Sequence, residues 1–250
     1  MTDISAGMPA DDPGATLSID EARRRLVDAA MMHVPFDGWS DATLRAARRD
    51  AGIPRALAEA ACPRGPVDLA LAFHEQGDRE MLRRLRTENL ASLRFRDKIA
   101  AAVRFRIEAA EDREVVRRAS SLFALPQYTA DGARALWTTA DRIWTALGDS
   151  SDDINWYTKR TTLSGVYAST VLYWLGDESE DSTATWEFLD RRIEDVMQVE
   201  KVKGRIEGNP VLRRVFAGPI WLAGRVRAPA RGHEIDLPGR LSAGPGSTGA

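Results

Sequence analysis

Hydrophobic residues recur along most of the chain at intervals of three and four, which is the period of an amphipathic α-helix. At residues 18–21 the letters SIDE form a capping box, in which a serine and a glutamate satisfy free backbone donors at a helix start. Ser40 is a second N-cap, and the helix that it opens is predicted to stop at Gly52. Pro54 opens a short third helix that ends before Pro63, because a proline is well tolerated in a first turn.

The pattern stays helical from Val67 to about Ala124, with breaks predicted near Gly77, Thr87 and Ala110. A loop follows, and three further helices are predicted at 132–147, 154–175 and 182–203. No segment shows the alternation of a strand, and no hairpin turn separates β-branched runs. The sequence therefore predicts an all-α protein of about ten helices.

The segment NPVLRRVFAGPIWLAGRVR predicts a last helix over residues 209–227. Its hydrophobic residues gather on one side, its arginines lie outside that arc, and it contains no acidic residue. This pattern is typical of a helix in a membrane interface, and the alternative is an amphipathic helix packed on the body. The residues expected to contact the membrane are Val211, Leu212, Arg213, Arg214, Val215, Phe216, Trp221, Leu222 and Arg225. The flanking segments 1–16 and 228–250 are predicted to be disordered tails.

Residues 161–176 carry no charge, in a protein in which 29% of the residues are charged. Hydrophobic residues cover most of the circumference of this predicted helix, so most of the helix must be buried. One continuous face is formed by Leu163, Val166, Tyr167, Thr170, Val171 and Trp174. The helix is either central to the core or shared between the core and a second subunit. It is too short and too polar to span a membrane, which requires ~20 mostly apolar residues.

Trp156 and Tyr157 lie at the predicted start of the same helix, after the acidic loop GDSSDD. Aromatic rings at a polar helix end are either half-buried packing residues or an exposed binding anchor, and the pattern alone does not separate the two. The loop lacks the spacing and the glycine of a calcium site. We therefore interpret Asp152 or Asp153 as a helix cap.

Composition limits the classes of protein to which this chain can belong. Of its 250 residues, 44% are hydrophobic, which is normal for a folded globular protein. The net charge of −2 argues against non-specific binding to nucleic acid. Cys62 is the single cysteine, so no intramolecular disulfide can form, and the N-terminal segment resembles neither a secretory signal nor a transit peptide. These features indicate a cytoplasmic protein.

The first three helices have the arrangement of a helix-turn-helix. We therefore predict a degenerate helix-turn-helix over residues 17–66. The stretch DAGIPRALAEAACPRGPVDLA resembles the N-terminal domain of tetracycline-repressor-type regulators. At the positions with which those regulators contact DNA, this chain has Glu59, Ala61 and Gly65. The solvent side of its recognition helix is therefore expected to present alanine and a carboxylate. A carboxylate repels phosphates, and we expect no nucleic-acid partner.

No set of residues has the spacing of a catalytic or metal-binding site. The histidines, His33, His74 and His233, belong neither to an E-x-x-H pair nor to an H-E-x-x-H motif. The sequence also contains no glycine-rich phosphate loop and no nucleophile elbow. We therefore expect a protein that is not an enzyme and that holds no metal.

Four segments, beginning at His33, Pro63, Leu136 and Ala184, closely resemble the ubiquinone-biosynthesis lipid-binding accessory family, the ninth Coq protein. The likeness extends over about residues 20–203. It implies a repressor-like all-α fold that does not act on DNA, a homodimer, and an apolar pocket for isoprenoid quinone precursors. It also implies a C-terminal membrane-seeking helix and a partner, the demethoxyubiquinone hydroxylase.

The resemblance also assigns roles to individual residues. In that family a surface patch on two neighbouring helices docks the hydroxylase, and it carries over to Asp141, Ile143, Trp156 and Tyr157, with Ile143 as a conservative variant. This favours the exposed-anchor interpretation of the two aromatic residues. Residues 67–203 would then form the lipid-binding and dimerisation domain. The residues expected to touch the lipid are Leu163, Val166, Tyr167 and Val171.

We therefore expect a bacterial member of this family that binds isoprenoid quinone lipids, needs no cofactor, and presents its lipid to the hydroxylase without doing chemistry. It is expected to associate peripherally with the inner face of the cytoplasmic membrane. The alternative is a lipid-responsive transcriptional repressor with the same fold, against which the acidic, alanine-rich recognition helix argues.

Overall fold

The computed structural model describes residues 17–151 and 154–208 of the protein. Over these residues the chain is all-helical, as predicted, and no strand forms. The α-helices are α1 (Ile19–Ala30), α2 (Val34–Asp37), α3 (Asp41–Asp50), α4 (Arg55–Ala61), α5 (Pro66–Thr87), α6 (Phe95–Glu108), α7 (Arg113–Phe123), α8 (Thr129–Ala146), α9 (Ile154–Leu175) and α10 (Thr183–Gly208). The predicted membrane helix at 209–227, the two tails, Asp152 and Asp153 lie outside the described residues.

Two helices begin at the caps that the sequence predicts. The hydroxyl of Ser18 accepts a hydrogen bond from the backbone N–H of Glu21 at 3.1 Å. The hydroxyl of Ser40 accepts one from the backbone N–H of Thr43 at 3.2 Å. Each such cap stabilises its helix by about 1 kcal/mol. After α3 the chain turns at Gly52, whose φ of 64° lies in the left-handed region that favours glycine.

The first four helices, the N-terminal half of α5 and α7 surround one hydrophobic core. Its buried members include Leu26, Val27, Trp39, Ile53 and Leu69. Full burial of a side chain of this size contributes about 1.5–3 kcal/mol. Trp39 also donates its indole N–H to the carbonyl of Val115 at 3.2 Å, which ties this core to α7.

A second core forms between the C-terminal half of α5 and the helices α6, α8, α9 and α10. Its buried members include Met81, Val103, Ile143, Leu163 and Leu189. Because α5 supplies residues to both cores, this one helix of 22 residues connects the two parts of the described chain.

The predicted break near Gly77 is wrong, because α5 runs without interruption from Pro66 to Thr87. Gly77 instead allows Arg106 of α6 to pack closely against α5. A Cβ atom at position 77 would lie only 2.5 Å from Nη1 of Arg106. The glycine therefore leaves room for a guanidinium group between two helices. The other two predicted breaks, near Thr87 and Ala110, are confirmed by the ends of α5 and α6.

α3 and α4 occupy the place of the predicted helix-turn-helix. Glu59 is exposed on α4 and pairs with Arg55 at 2.7 Å. Ala61, in contrast, is fully buried in the first core, so the expectation that it lies on the solvent side is wrong. Two residues along a helix correspond to about 200° of rotation, which turns Ala61 away from the side of Glu59. Gly65, with φ of 69°, precedes α5.

Candidate ligand cavity and surface patch

α9 contains the uncharged segment and packs between α8 and α10. Leu163, Tyr167 and Trp174 are buried, as their spacing predicts. On the other side of the helix Gly165 is exposed, and Leu172 is 65% exposed. The uncharged part of α9 therefore presents one face to the core and another to solvent.

A cavity of about 370 Å³, which we call the α9 cavity, lies between α5, α6, α7, α8 and α9. Its hydrophobic walls include Phe73, Ala110, Val116, Phe123, Leu136 and Val171. Sites that enclose small organic ligands have volumes of ~300–1,000 Å³ and are lined mostly by hydrophobic side chains with a few polar groups. The α9 cavity has this composition and lies at the small end of that range.

Two of the four residues predicted to touch lipid line the α9 cavity, and two do not. Tyr167 and Val171 lie on its wall. Leu163 and Val166 line a separate cavity of about 240 Å³ near α6 and α10. All four belong to one side of α9, but that side is broad enough to face two different groups of neighbouring helices.

α9 also contributes residues to the cavity that lie outside the continuous hydrophobic face predicted from the sequence. They are Ala168 and Leu172. The rotation of a helix about its own axis depends on the helices packed against it. The spacing of hydrophobic residues within α9 therefore could not predict which of its faces borders the cavity.

His74 and Arg106, two polar residues of the cavity wall, belong to a hydrogen-bonded cluster around Asp78. The carboxylate accepts from Nε of Arg106 at 2.6 Å, from the hydroxyl of Thr139 at 2.8 Å and from Nη1 of Arg142 at 2.8 Å. Nε2 of His74 lies 2.8 Å from the same Thr139 hydroxyl. Burial, together with the charge of Arg106, lowers the pKa of His74 to about 3, so the ring is neutral at pH 7.

Three aromatic side chains meet at the start of α9, and we call Trp137, Trp156 and Tyr157 the aromatic patch. The ring centroids of Trp156 and Tyr157 are 4.8 Å apart, and Trp137 on α8 lies 5.7 Å from Trp156. All three residues are half-buried. The family resemblance did not point to Trp137. It stands four residues before Asp141 and therefore on the same face of α8, a spacing that was visible in the sequence.

Arg160 is only 1% exposed and lies next to the aromatic patch. Its guanidinium carbon is 4.1 Å from the Trp156 ring centroid, and its nitrogens pair with Asp141 at 2.5 Å and Asp149 at 3.0 Å. Burial alone would raise the pKa of Asp149, but hydrogen bonds from Lys159, a serine and Arg160 lower it to about 2. A buried cation is costly unless it is paired, so both carboxylates support the local fold.

The residues predicted on α8 lie on different sides of that helix. The side chain of Asp141 is 40% exposed beside the aromatic patch, while it also holds Arg160. Ile143 is fully buried in the second core, so the expectation that it lies in the surface patch is wrong. The two positions differ by about 200° around the helix, which directs Ile143 inward when Asp141 faces outward.

The described part of the chain offers neither a cluster of metal ligands nor a thiol that is ionised at neutral pH. Within residues 17–151 and 154–208, no group of three or more His, Cys, Asp or Glu side chains could hold a metal ion. Burial raises the pKa of the Cys62 thiol to about 11, so it stays protonated at neutral pH. Among the helices described, none combines the length and hydrophobicity needed to cross a bilayer.

The model of the COQ9 family matches residues 129–200, which hold α8, α9 and most of α10. The protein COQ9-B, mitochondrial, of Xenopus laevis is 30% identical over 218 residues, covering 82% of this chain and 73% of that protein. The Rattus norvegicus COQ9 is 32% identical over 191 residues, which cover 73% of this chain and 61% of the rat protein. The Drosophila melanogaster COQ9 is 27% identical over 206 residues, covering 79% and 62%. This chain therefore spans less than two thirds of the rat and fly proteins.

The fold is also similar to that of a solved structure, the TetR transcriptional regulator from Nitrosomonas europaea. The two agree with a TM-score of 0.57 at 20% sequence identity, over 69% of this chain and 95% of the regulator. This likeness confirms the repressor-like fold that the sequence predicts. The match to the family model and the identity to a relative covered over 73% of its length show that the chain belongs to the COQ9 family.

Proposed function

We propose that this protein is a non-enzymatic, lipid-binding accessory protein of ubiquinone biosynthesis. In this proposal it binds isoprenoid quinone precursors and presents them to the demethoxyubiquinone hydroxylase at a membrane surface. The observation that carries the proposal is the α9 cavity, a mostly hydrophobic space of about 370 Å³ in a member of the COQ9 family. The names of the relatives associate those proteins with ubiquinone biosynthesis.

A hydrophobic cavity lowers the free-energy cost of lifting such a lipid out of a bilayer. A polyprenyl chain is held in the membrane by about 0.8 kcal/mol per CH₂ group. A protein that offers similar contacts to the head group and the first part of the chain replaces some of that stabilisation. Because the cavity lies at the small end of ligand sites, it suits this partial extraction better than enclosure of a whole tail.

We assign hydroxylase docking to the aromatic patch and Asp141. Large aromatic side chains are enriched among the interface residues that contribute most to binding. Tyr167 on the cavity wall follows Trp156 by eleven positions, which is about 17 Å along the axis of α9. A partner bound to the aromatic patch would therefore lie within one helix length of the bound lipid.

We assign membrane attachment at the inner face of the cytoplasmic membrane to residues 209–227, which continue the chain after α10. Four arginines in this segment are expected to strengthen binding to anionic vesicles by about 1 kcal/mol each. Flotation with liposomes, with and without residues 209–250, tests the assignment. Equal flotation of the two chains would contradict it.

The proposal as a whole is tested by the lipid that the protein carries when it is purified from cells. We expect mass spectrometry of the extracted protein to detect quinones or other isoprenoid lipids. Ala168→Trp, which fills the α9 cavity, should remove most of this lipid, whereas Ala42→Trp on the exposed side of α3 should not. Repeated absence of lipid from the unaltered protein, or equal lipid in both variants, would contradict the carrier function.

A lipid-responsive repressor is the second candidate, favoured by the likeness to a TetR regulator. The exposed Glu59 on α4 and the buried Ala61 offer DNA neither a cation nor a hydrogen-bond donor. We therefore expect no sequence-specific DNA binding at physiological salt. A footprint of the protein upstream of its own gene would revive this candidate.

A further inference from the structure

Tyr167 lies in the middle of α9 and is only 4% exposed, yet it forms part of the wall of the α9 cavity. Its ring centroid is 6.5 Å from that of His74 and 5.7 Å from the guanidinium carbon of Arg106. Three side chains with polar groups, from α5, α6 and α9, therefore meet on one part of a largely hydrophobic wall.

The neighbours of Tyr167 are satisfied within the protein, but its own hydroxyl is not. Arg106 donates from Nε to Asp78 at 2.6 Å and from Nη2 to the carbonyl of His74 at 2.8 Å. The Tyr167 hydroxyl makes no hydrogen bond to any residue in the described part of the chain, and it is not among the fully buried polar atoms, so it remains accessible from the cavity. Tyrosine hydroxyls in largely hydrophobic surroundings usually have a partner, because an unpaired one is costly. An unpaired hydroxyl on the wall of a ligand-sized cavity points to a partner that the ligand supplies.

The charges around the cavity favour a neutral ligand group over an anion. Arg106 is the only charged side chain among the described residues that line the cavity, and Asp78 already pairs with it. Arg142 behind it is held by Asp78 at 2.8 Å and Glu75 at 3.5 Å. Burial raises the pKa of Tyr167, so its hydroxyl keeps its proton and remains a donor. An anionic head group would find no unmatched cation here, whereas a neutral oxygen would find a donor.

We infer that Tyr167 anchors the head group of the bound lipid by donating a hydrogen bond to a neutral oxygen of an oxygenated aromatic ring, such as a quinone carbonyl. The inference rests on the proposed function and adds an orientation to it. The ring lies inside the cavity, and the chain leaves across the exposed rim. The part of that rim that the chain crosses is formed by the exposed residues Ala124, Thr129 and Ala133, at the end of α7 and in the first turns of α8.

The test compares three probes that differ in the head group and share a decyl chain. They are 2,3-dimethoxy-5-methyl-6-decyl-benzoquinone, decylbenzene and 4-decylbenzoate, titrated by calorimetry into the full, lipid-stripped chain. The variant is Tyr167→Phe, which removes only the hydroxyl. The matched control is Tyr173→Phe, at an exposed position of α9 that packs on Phe188 at 4.5 Å and does not line the cavity.

We expect Tyr167→Phe to weaken binding of the quinone about five- to tenfold, the usual effect of one buried hydrogen bond, and to leave decylbenzene binding unchanged. Tyr173→Phe should change neither. Without ligand, Tyr167→Phe should melt close to the temperature of the unaltered protein, because the hydroxyl that it removes makes no hydrogen bond within the described residues. A residue needed only for packing would not combine weaker quinone binding with undiminished stability.

Three results would overturn the inference while leaving the proposed function intact. One is unchanged quinone affinity in Tyr167→Phe, and another is an equal loss for quinone and decylbenzene. The third is tighter binding of the benzoate than of the quinone by the unaltered protein, which would show the opposite charge preference. Failure of the unaltered protein to bind any decyl probe would contradict the proposed function and the inference together.

Discussion

Among the described residues, two arginines are buried, Arg106 and Arg160, and carboxylates from other parts of the chain neutralise both. Asp78 of α5 holds the first, and Asp141 of α8 and Asp149 hold the second. Removing one partner of a buried ion pair typically costs about 3–5 kcal/mol, because a charge is left uncompensated. Asp141→Lys would therefore disturb the fold as well as docking, and the aromatic rings are the better target for a docking test.

Gly77→Ala is expected to destabilise the protein, although alanine is intrinsically better in a helix by about 1 kcal/mol. The added Cβ would lie 2.5 Å from Nη1 and 2.7 Å from Cζ of Arg106. The guanidinium would have to move away from Asp78, its partner at 2.6 Å. We expect a net loss of about 2 kcal/mol or more in the free energy of unfolding, measured by denaturant titration.

Gly165→Ala is the matched control for this change. Gly165 is also inside a helix, but nothing lies within 4 Å of the position that its Cβ would take. Alanine should therefore stabilise the protein there by up to about 1 kcal/mol. If both variants gained stability equally, Arg106 would have to adapt without loss, and close packing would not explain the glycine at position 77.

At the scale of the elements, α8 and α9 carry most of the candidate chemistry. The match to the COQ9 model covers both helices, which pack side by side. The first turn of α9 bears Trp156 and Tyr157, and its middle turns line the cavity. One continuous helix therefore connects the proposed docking surface with the proposed lipid site.

Replacing Trp156 and Tyr157 together by alanine is expected to weaken binding to the hydroxylase by at least thirtyfold, about 2 kcal/mol or more, if they anchor the partner. Because both rings are half-buried and the Trp156 ring packs on Arg160, we also expect a moderately lower melting temperature. A pull-down with the hydroxylase beside a melting curve measures both effects.

Tyr173→Ala serves as the control, since Tyr173 is 39% exposed at the opposite end of α9. It should lose the packing of one ring, on Phe188, and keep the hydroxylase. Retained binding by a folded Trp156/Tyr157 double variant would exclude the aromatic patch from docking. Complete unfolding of that variant would mean that the two rings are required for the fold.

At the scale of the whole molecule, the exposed side of α9 is a candidate surface for self-association. Gly165 and Leu172 lie on this side, and the uncharged segment leaves it without a single charge. Charges are depleted at the centre of protein interfaces, and symmetric dimers bury the same patch of both copies. We therefore propose this side of α9 as the contact in a homodimer.

Gly165→Lys is expected to convert such a dimer to a monomer without harming the fold, because the space beside Gly165 is open. Two lysines would then face each other across the symmetric contact, at a cost of several kcal/mol. Sedimentation velocity should show that the dissociation constant of the dimer is raised 100-fold or more. Glu59→Lys, on the exposed side of α4, also introduces a lysine but away from α9, and this variant should stay dimeric. A monomeric unaltered protein, or a dimeric Gly165→Lys, would contradict the proposed contact.

The sequence by itself determined which segments are helical and where several helices begin, because these depend on neighbours within a few residues. Ser18 and Ser40 cap their helices through backbone donors three positions away. α9 has the bounds that its periodicity predicts. The similarity to the COQ9 family was also evident from the sequence, because it depends on the identity of residues along the chain.

Only the tertiary structure decided which faces of those helices form the sites. Asp78, Arg106 and Arg142 come together from positions 28 and 64 residues apart, and no local pattern links them. The same holds for Gly77, whose role depends on a side chain of another helix, and for Ile143, which packing turns inward. Spacing determines which residues share a face of a helix, but the rotation of that face is set by the free energy of packing against helices distant in sequence.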